Sequence, residues 1–289
     1  MIYQPRRSSV RAFFILIAFV LVSMIGLYMF LVSNGHTTAQ DQQRNAQPVA
    51  GSAPHILITE YAVRELDKVP ADVPFVQSLN APSTYELISL HQGNDLLPNA
   101  THLVSFESYQ AIANAFKQKA IPADARVVLY DNERWLGTPV VEQQQPFGYV
   151  QKAAELVHQH GLLFANSPAP DLNTTLAGNK QYNNYNGYLH LHLATLAKYA
   201  DIFDIQAQRS GSVSAYVSFA NAAYAQARAG NKTAVILLGV TTADNQTSQD
   251  IIDDIRQTRG MVDGYWLNVI NGPSVLNPVI QKWPSAGLY

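Results

Sequence analysis

The chain has 289 residues, with 19 Lys and Arg against 21 Asp and Glu, a formal net charge of −2, and no cysteine. Without thiols it has no disulfides, no thiolate metal site, no cysteine nucleophile and no acylated cysteine. Four basic residues (Arg6, Arg7, Arg11, Arg44) and one acid (Asp41) precede His55, leaving 15 basic against 20 acidic residues beyond it, so no basic stripe marks a nucleic-acid partner.

Arg6, Arg7 and Arg11 stand before a run free of charged residues at 12–32. About 20 helical residues cross a bilayer core, and a basic flank keeps its end in the cytoplasm. The run therefore predicts a single-pass signal anchor: residues 1–11 form a cytoplasmic flank, and the rest stands outside the cell membrane. Thr37-Thr38-Ala39 offers a small-residue cleavage site, so secretion after cleavage near Ala39 is the alternative. Residues 33–54, rich in Gln, Asn, Ala and Thr, read as a flexible linker. An exported chain without cysteine fits a bacterium better than a eukaryotic secretory pathway. Asn99-Ala100-Thr101 and Asn173-Thr174-Thr175 match the glycosylation sequon, a short pattern of little weight.

From His55 onward, short β-branched or aromatic runs alternate with helical stretches. The runs predict strands at 55–59, 85–90, 102–106, 126–131, 162–166, 202–206, 234–241 and 264–269. Stretches such as Val127-Val128-Leu129-Tyr130 are apolar at every position, which suits strands covered on both faces, as in a parallel sheet. Helical spacing predicts helices at 109–119, 147–160, 187–200, 213–229 and 248–259, three of them ending before Gly161, Gly230 or Gly260. Pro70, Pro74 and Pro82 forbid one long helix over 61–83. Eight strands in about 235 residues fit a closed (β/α)8 barrel of the TIM type over 55–289. An open doubly wound parallel sheet is the alternative.

In such a barrel the chemistry sits where the strands end, and residues two apart on a strand share a face. Asp131 and Glu133 end the fourth strand two residues apart. Two carboxylates at one mouth repel, which raises the proton affinity of one of them toward that of a general acid. Glu107, after the third strand, is a candidate third carboxylate. On the sixth strand Asp204, Gln206 and Gln208 share a face, and amides both donate to and accept from hydroxyl or acetamido groups. Trp266 and Asn268 share a face of the last strand, the indole offering a flat floor for a sugar ring. Asn166 opens a long loop reaching 186, in which Tyr182 and Tyr185 add flat faces, and His91 follows the second strand. His190 and His192 are two apart in a predicted helix and cannot act together as metal ligands. No zincin, nucleophile-elbow, Walker or dinucleotide glycine pattern occurs, so no cofactor is expected.

The Asp131-x-Glu133 pair on the fourth strand and Trp266 on the eighth resemble the arrangement in barrel glycoside hydrolases, loosely those of the family 18 chitinase type. That resemblance implies Glu133 as the acid, Asp131 as its helper, Trp266 as the platform, and the substrate's own acetamido group as nucleophile. Where that family carries further acidic residues and a glycine, this chain has Arg126, Val127 and Leu129. The leading expectation is an extracytoplasmic carbohydrate-active hydrolase, its partners being a carbohydrate or cell-wall glycan and, through the N-terminal helix, the membrane. Two alternatives differ in class: a non-catalytic glycan-binding barrel, and a metal-assisted enzyme holding a hard cation with Asp131, Glu133 and Glu107.

Overall fold

The computed structural model describes residues 53–90, 96–176, 184–243, 246–269 and 274–283. The expected anchor at 12–32, the linker up to residue 52, and the candidate residues His91 and Tyr182 lie outside them. Among the described residues no helix is long and apolar enough to cross a membrane.

Strands β1 (His55–Thr59), β2 (Thr84–Leu87), β3 (Thr101–Phe106), β4 (Val127–Tyr130), β5 (Leu163–Asn166), β6 (Ile202–Ile205), β7 (Val235–Thr241) and β8 (Gly264–Asn268) each pair in parallel with the next. β8 returns to β1, aligning Leu57 with Trp266, so the sheet is a closed barrel and not an open one. The strands are buried along most of both faces, which is why runs such as Val127–Tyr130 in β4 are apolar at every position. Inward, Leu57, Tyr85, Leu103, Val127, Leu129, Ala165, Ile202, Leu237 and Trp266 form one apolar cluster that fills the barrel. Outward, Ile58, Val104, Val128, Tyr130, Phe164, Phe203, Ile236 and Leu238 pack with the surrounding helices.

Those helices are α1 (Glu60–Asp67), α2 (Val73–Ser78), α3 (Tyr109–Gln118), α4 (Val140–Gln144), α5 (Pro146–Gln159), α6 (Asn173–Leu176), α7 (Asn184–His190), α8 (Val213–Gly230), α9 (Ser248–Thr258) and α10 (Leu276–Lys282). Hydroxyl caps start several of them: Thr59, Ser108 and Ser212 accept from the amides of Ala62, Ala111 and Ala215, and Thr247 forms a reciprocal box with Asp250. The proline-rich stretch divides into α1 and α2, with a proline in the first turn of α2, where no amide hydrogen is needed.

Two expectations are corrected. The single helix over 187–200 is instead α7 followed by a 3₁₀ turn at Leu193–Tyr199, because His192 adopts a left-handed conformation (φ 54°) that no α-helix continues through. The 166–186 loop is partly structured: a 3₁₀ turn at Pro170–Leu172 runs into α6, and buried Asn173 donates to the carbonyls of Pro170 and Asn184 at 3.1 Å each.

The two ends of the barrel differ. At the strand starts, ionic contacts fasten helices to the sheet. Arg228 pairs with Asp263, whose carboxylate also accepts the Ile236 amide at 2.7 Å. Asp201 accepts from the Phe164 amide at 2.9 Å and lies 2.7 Å from His158 Nε2. The candidate residues gather at the other end.

Candidate active site

The inward face of β4 carries Val127 and Leu129 in the apolar filling, and the next inward positions are Asp131 and Glu133. The backbone remains extended as it leaves the strand. Asp131 donates to the Phe106 carbonyl at 3.0 Å, Ser167 to the Tyr130 carbonyl at 3.1 Å, and Ala169 to the Asn132 carbonyl at 3.1 Å. Sheet pairing on both sides thus outlasts β4 and delivers both carboxylates to the mouth.

Beyond Glu133 the chain is fastened by side chains. Gln143 Nε2 donates to the carbonyls of Trp135 (3.1 Å) and Thr138 (2.7 Å), Trp135 Nε1 to Thr138 Oγ1 (2.8 Å), and Thr138 Oγ1 to the Glu107 carbonyl (2.6 Å). Behind it, buried Glu142 accepts the Tyr130 hydroxyl at 2.6 Å and the Tyr109 and Gln110 amides at 2.7 and 3.2 Å, closing the start of α3. Trp135, Leu136, Val140 and Val141 form an exposed apolar rim on this segment.

β6 brings the second half of the site. Asp204 points inward at the depth of Leu237, and the strand ends at Ile205. Ala207 N then donates to Ile205 O at 2.7 Å, a one-residue turn with Gln206 at its apex. Gln206 Nε2 lies 3.1 Å from Asp131 Oδ1, Glu133 Oε1, Ser167 O and Ser167 Oγ. With four oxygens around it, the amide can present only its N–H side there. Gln208 reaches back over β7, its Oε1 2.0 Å from where a β-carbon of residue 239 would stand, so Gly239 is what makes room for it. Gln208 Nε2 is 3.5 Å from Gln206 Oε1, and the Tyr185 hydroxyl donates to the Gln208 carbonyl.

Burial dominates the electrostatics. Asp131 is held well above the ordinary carboxylate range, first by desolvation and then by the like charges of Glu133, Asp204, Glu107 and Asp171. Glu133 is also raised by desolvation, with Asp171 and Glu107 adding to it; the Gln206 hydrogen bond and the Arg209 charge pull it back. Asp204 is pushed up to about 7 by burial, against the Ser167 hydrogen bond.

The predicted residues therefore fall into three groups. Asp131, Glu133, Asp204 and Gln206 form one connected cluster, with Gln208 and Tyr185 beside it. Glu107 is exposed at the rim, its carboxylate against Gly137. Trp266 lies deeper, in the barrel filling at 8% exposure, its Nε1 buried without a hydrogen-bond partner among the described residues; Asn268 is half-buried at the end of β8, level with Thr241. Asn166 is elsewhere: it faces outward, fully buried, and its amide donates to the Tyr130 carbonyl (2.9 Å) and Asn132 Oδ1 (3.0 Å), tying β5 to β4. Sequence reasoning missed Ser167, Asp171 and Arg209. Ser167 was within reach, since it is the next inward position after Leu163 and Ala165. Among the described residues, no three His, Asp or Glu side chains are grouped to hold a metal ion.

No family model matches the sequence, and no curated protein resembles it. Solved structures of similar shape include the catalytic domain of a family GH18 chitinase from the fern Peteris ryukyuensis (14% identity over 66% of this chain and 74% of that one, TM-score 0.45). Others are the spore cortex-lytic enzyme of Bacillus megaterium (9%, 84% and 76%, 0.46) and triosephosphate isomerase of Bartonella henselae (10%, 82% and 100%, 0.48). At such identities a likeness speaks of fold alone. Chitinases, aldolases and an isomerase occur side by side among the neighbours, so they decide no chemistry.

Proposed function

We propose that this protein is an extracytoplasmic carbohydrate hydrolase working by carboxylate acid/base catalysis. The observation that carries the reading is the bridge from one amide, Gln206 Nε2, to Asp131 Oδ1 and Glu133 Oε1 at 3.1 Å each, at a barrel mouth where burial raises the proton affinity of both carboxyls. A pair of this kind holds its protons more tightly than free carboxyls do, the direction that protonation of a glycosidic oxygen requires. Glu133 donates a proton to the leaving oxygen as the glycosidic bond breaks and the substrate's acetamido oxygen bonds to the anomeric carbon; water then opens that bond and returns the proton to Glu133, with Asp131 beside it as helper. Trp266 supplies apolar surface beneath the mouth, and Gln208, Asn268 and Tyr185 orient hydroxyl or acetamido groups. The uncharged run at 12–32, behind three arginines, supports export and attachment to the cell membrane.

The test is turnover of peptidoglycan sacculi and chito-oligosaccharides by the purified protein and by Glu133→Gln. Loss of about 10²-fold or more, the usual contribution of a general acid, with an unchanged melting temperature supports the reading. Full activity in Glu133→Gln removes Glu133 from the mechanism, and glycan binding without turnover by the wild type turns the protein into a binding barrel.

A further inference from the structure

Below the mouth, Asp204 is 2% exposed. Its Oδ2 accepts the Ser167 hydroxyl at 2.8 Å, and its Oδ1 is buried without a hydrogen-bond partner among the described residues. A hydroxyl has one proton to give. With that proton directed at Asp204, Ser167 Oγ turns its lone pairs toward Gln206 Nε2, 3.1 Å away. The Ser167 carbonyl accepts from the same nitrogen at 3.1 Å. Gln206 is thereby held with its N–H side toward Asp131 and Glu133. Rotated half a turn about its last bond, the same amide would set a carbonyl oxygen against both carboxylates.

We propose that Asp204 is a positioning residue: by fixing the direction of the Ser167 hydroxyl it orients the Gln206 amide, and so sets how tightly Asp131 and Glu133 hold their protons. Its meaning for catalysis rests on the hydrolase reading above, but its test does not. Asp204 is also a like charge that raises Asp131, and this separates two outcomes by sign. If Asp204 acted by charge alone, Asp204→Leu and Asp204→Asn would both lower the Asp131 pKa. As a positioning residue it acts otherwise. Asp204→Leu removes the acceptor, frees the Ser167 hydroxyl to turn its proton toward Gln206 Nε2, loosens the hold of that amide on the two carboxylates, and raises the pKa of Asp131 and Glu133 despite the lost charge. Asp204→Asn keeps an acceptor oxygen for Ser167 and restores the wild-type orientation.

The experiment is a site-resolved ¹³C carboxyl NMR titration of the intact chain carrying Asp204→Leu, Asp204→Asn or Ser167→Ala, with Gln206→Leu as the upper limit. Asp204→Leu and Ser167→Ala are expected to raise both pKa values by about one pH unit, on the order of one charge-assisted hydrogen bond. Asp204→Asn is expected to leave them level or slightly lowered, and Asp204→Leu is expected to add no rise in a Gln206→Leu background. The proposal is overturned if Asp204→Leu lowers the values as Asp204→Asn does. It is also overturned if Ser167→Ala, a small change that keeps every charge and remains testable should Asp204→Leu fail to fold, leaves them where they were. These shifts in a protein that hydrolyses no glycan would uphold the positioning role and remove the hydrolase.

Discussion

Replacing Tyr130 with Phe is expected to destabilise the domain by about 2 kcal/mol, but only while Glu142 is present. The hydroxyl and the carboxylate meet at 2.6 Å and both residues are buried, Tyr130 fully. An O–H to carboxylate contact of that length is charge-assisted, and such bonds contribute about 1.5–3 kcal/mol. Tyr130→Phe keeps the ring in its packing against the helices, so the lost bond is nearly the whole effect. After the change Glu142 still accepts the Tyr109 and Gln110 amides, which limits the penalty. In a Glu142→Gln background the contact is between neutral groups, and the same substitution should cost about 1 kcal/mol or less. Urea unfolding of the four proteins gives the coupling directly, provided the m-value is constant. A cost under about 0.5 kcal/mol, or one equal in both backgrounds, would refute the idea that this contact fastens the mouth segment from behind.

Raising the pH from 5 to 8 should lower stability, because Asp131, Glu133, Asp204 and Asp254 all hold protons more tightly folded than unfolded, Asp204 and Asp254 up to about 7. Unfolded carboxyls release theirs near pH 4, so stability present below that pH is lost as the folded pKa values are approached. The slope is about 1.4 kcal/mol per pH unit for each such proton at most, and urea midpoints that rise over this range would contradict the burial of these groups. Gly239→Ala should change stability by less than about 1 kcal/mol, since its new methyl meets the movable end of Gln208 and relieves glycine's backbone entropy. The Gln208 side-chain amide signals should shift in a ¹H–¹⁵N spectrum, and a loss of several kcal/mol would mean that Gln208 cannot move. Asn166→Leu should cost about 1–3 kcal/mol by leaving Asn132 Oδ1 without this buried donor, while the Tyr130 carbonyl keeps the Ser167 amide; unchanged stability with weakened glycan binding would return Asn166 to the substrate.

Much of the barrel was legible because strand identity depends on burial on both faces, which leaves its mark in runs such as Val235-Ile236-Leu237-Leu238. Alternation then gave Asp131, Glu133 and Asp204 their inward direction. The same rule, applied to β5, turns Ser167 inward and Asn166 outward, whereas the long loop drew attention to Asn166. The turn at Gln206 was not legible, because it depends on a local backbone bond and not on residue type. Nor was the kink at His192, where Leu189, Leu191, Leu193 and Leu196 suit an α-helix as well as they suit a broken one. Glu142 was hidden for another reason: a buried carboxylate is readable only once its three donors, from β4 and α3, are seen together.

Asp131 departs from β4 with its neighbours still laddered to β3 and β5, so the acids ride on the sheet and not on a free connection. Slow deuterium uptake at the amides of Asp131, Ser167 and Ala169 would register this rigidity. A framework of that kind lets the surrounding connections be lengthened, shortened or exchanged with little disturbance to the acids, and makes this mouth a suitable host for grafted segments that alter what it accepts.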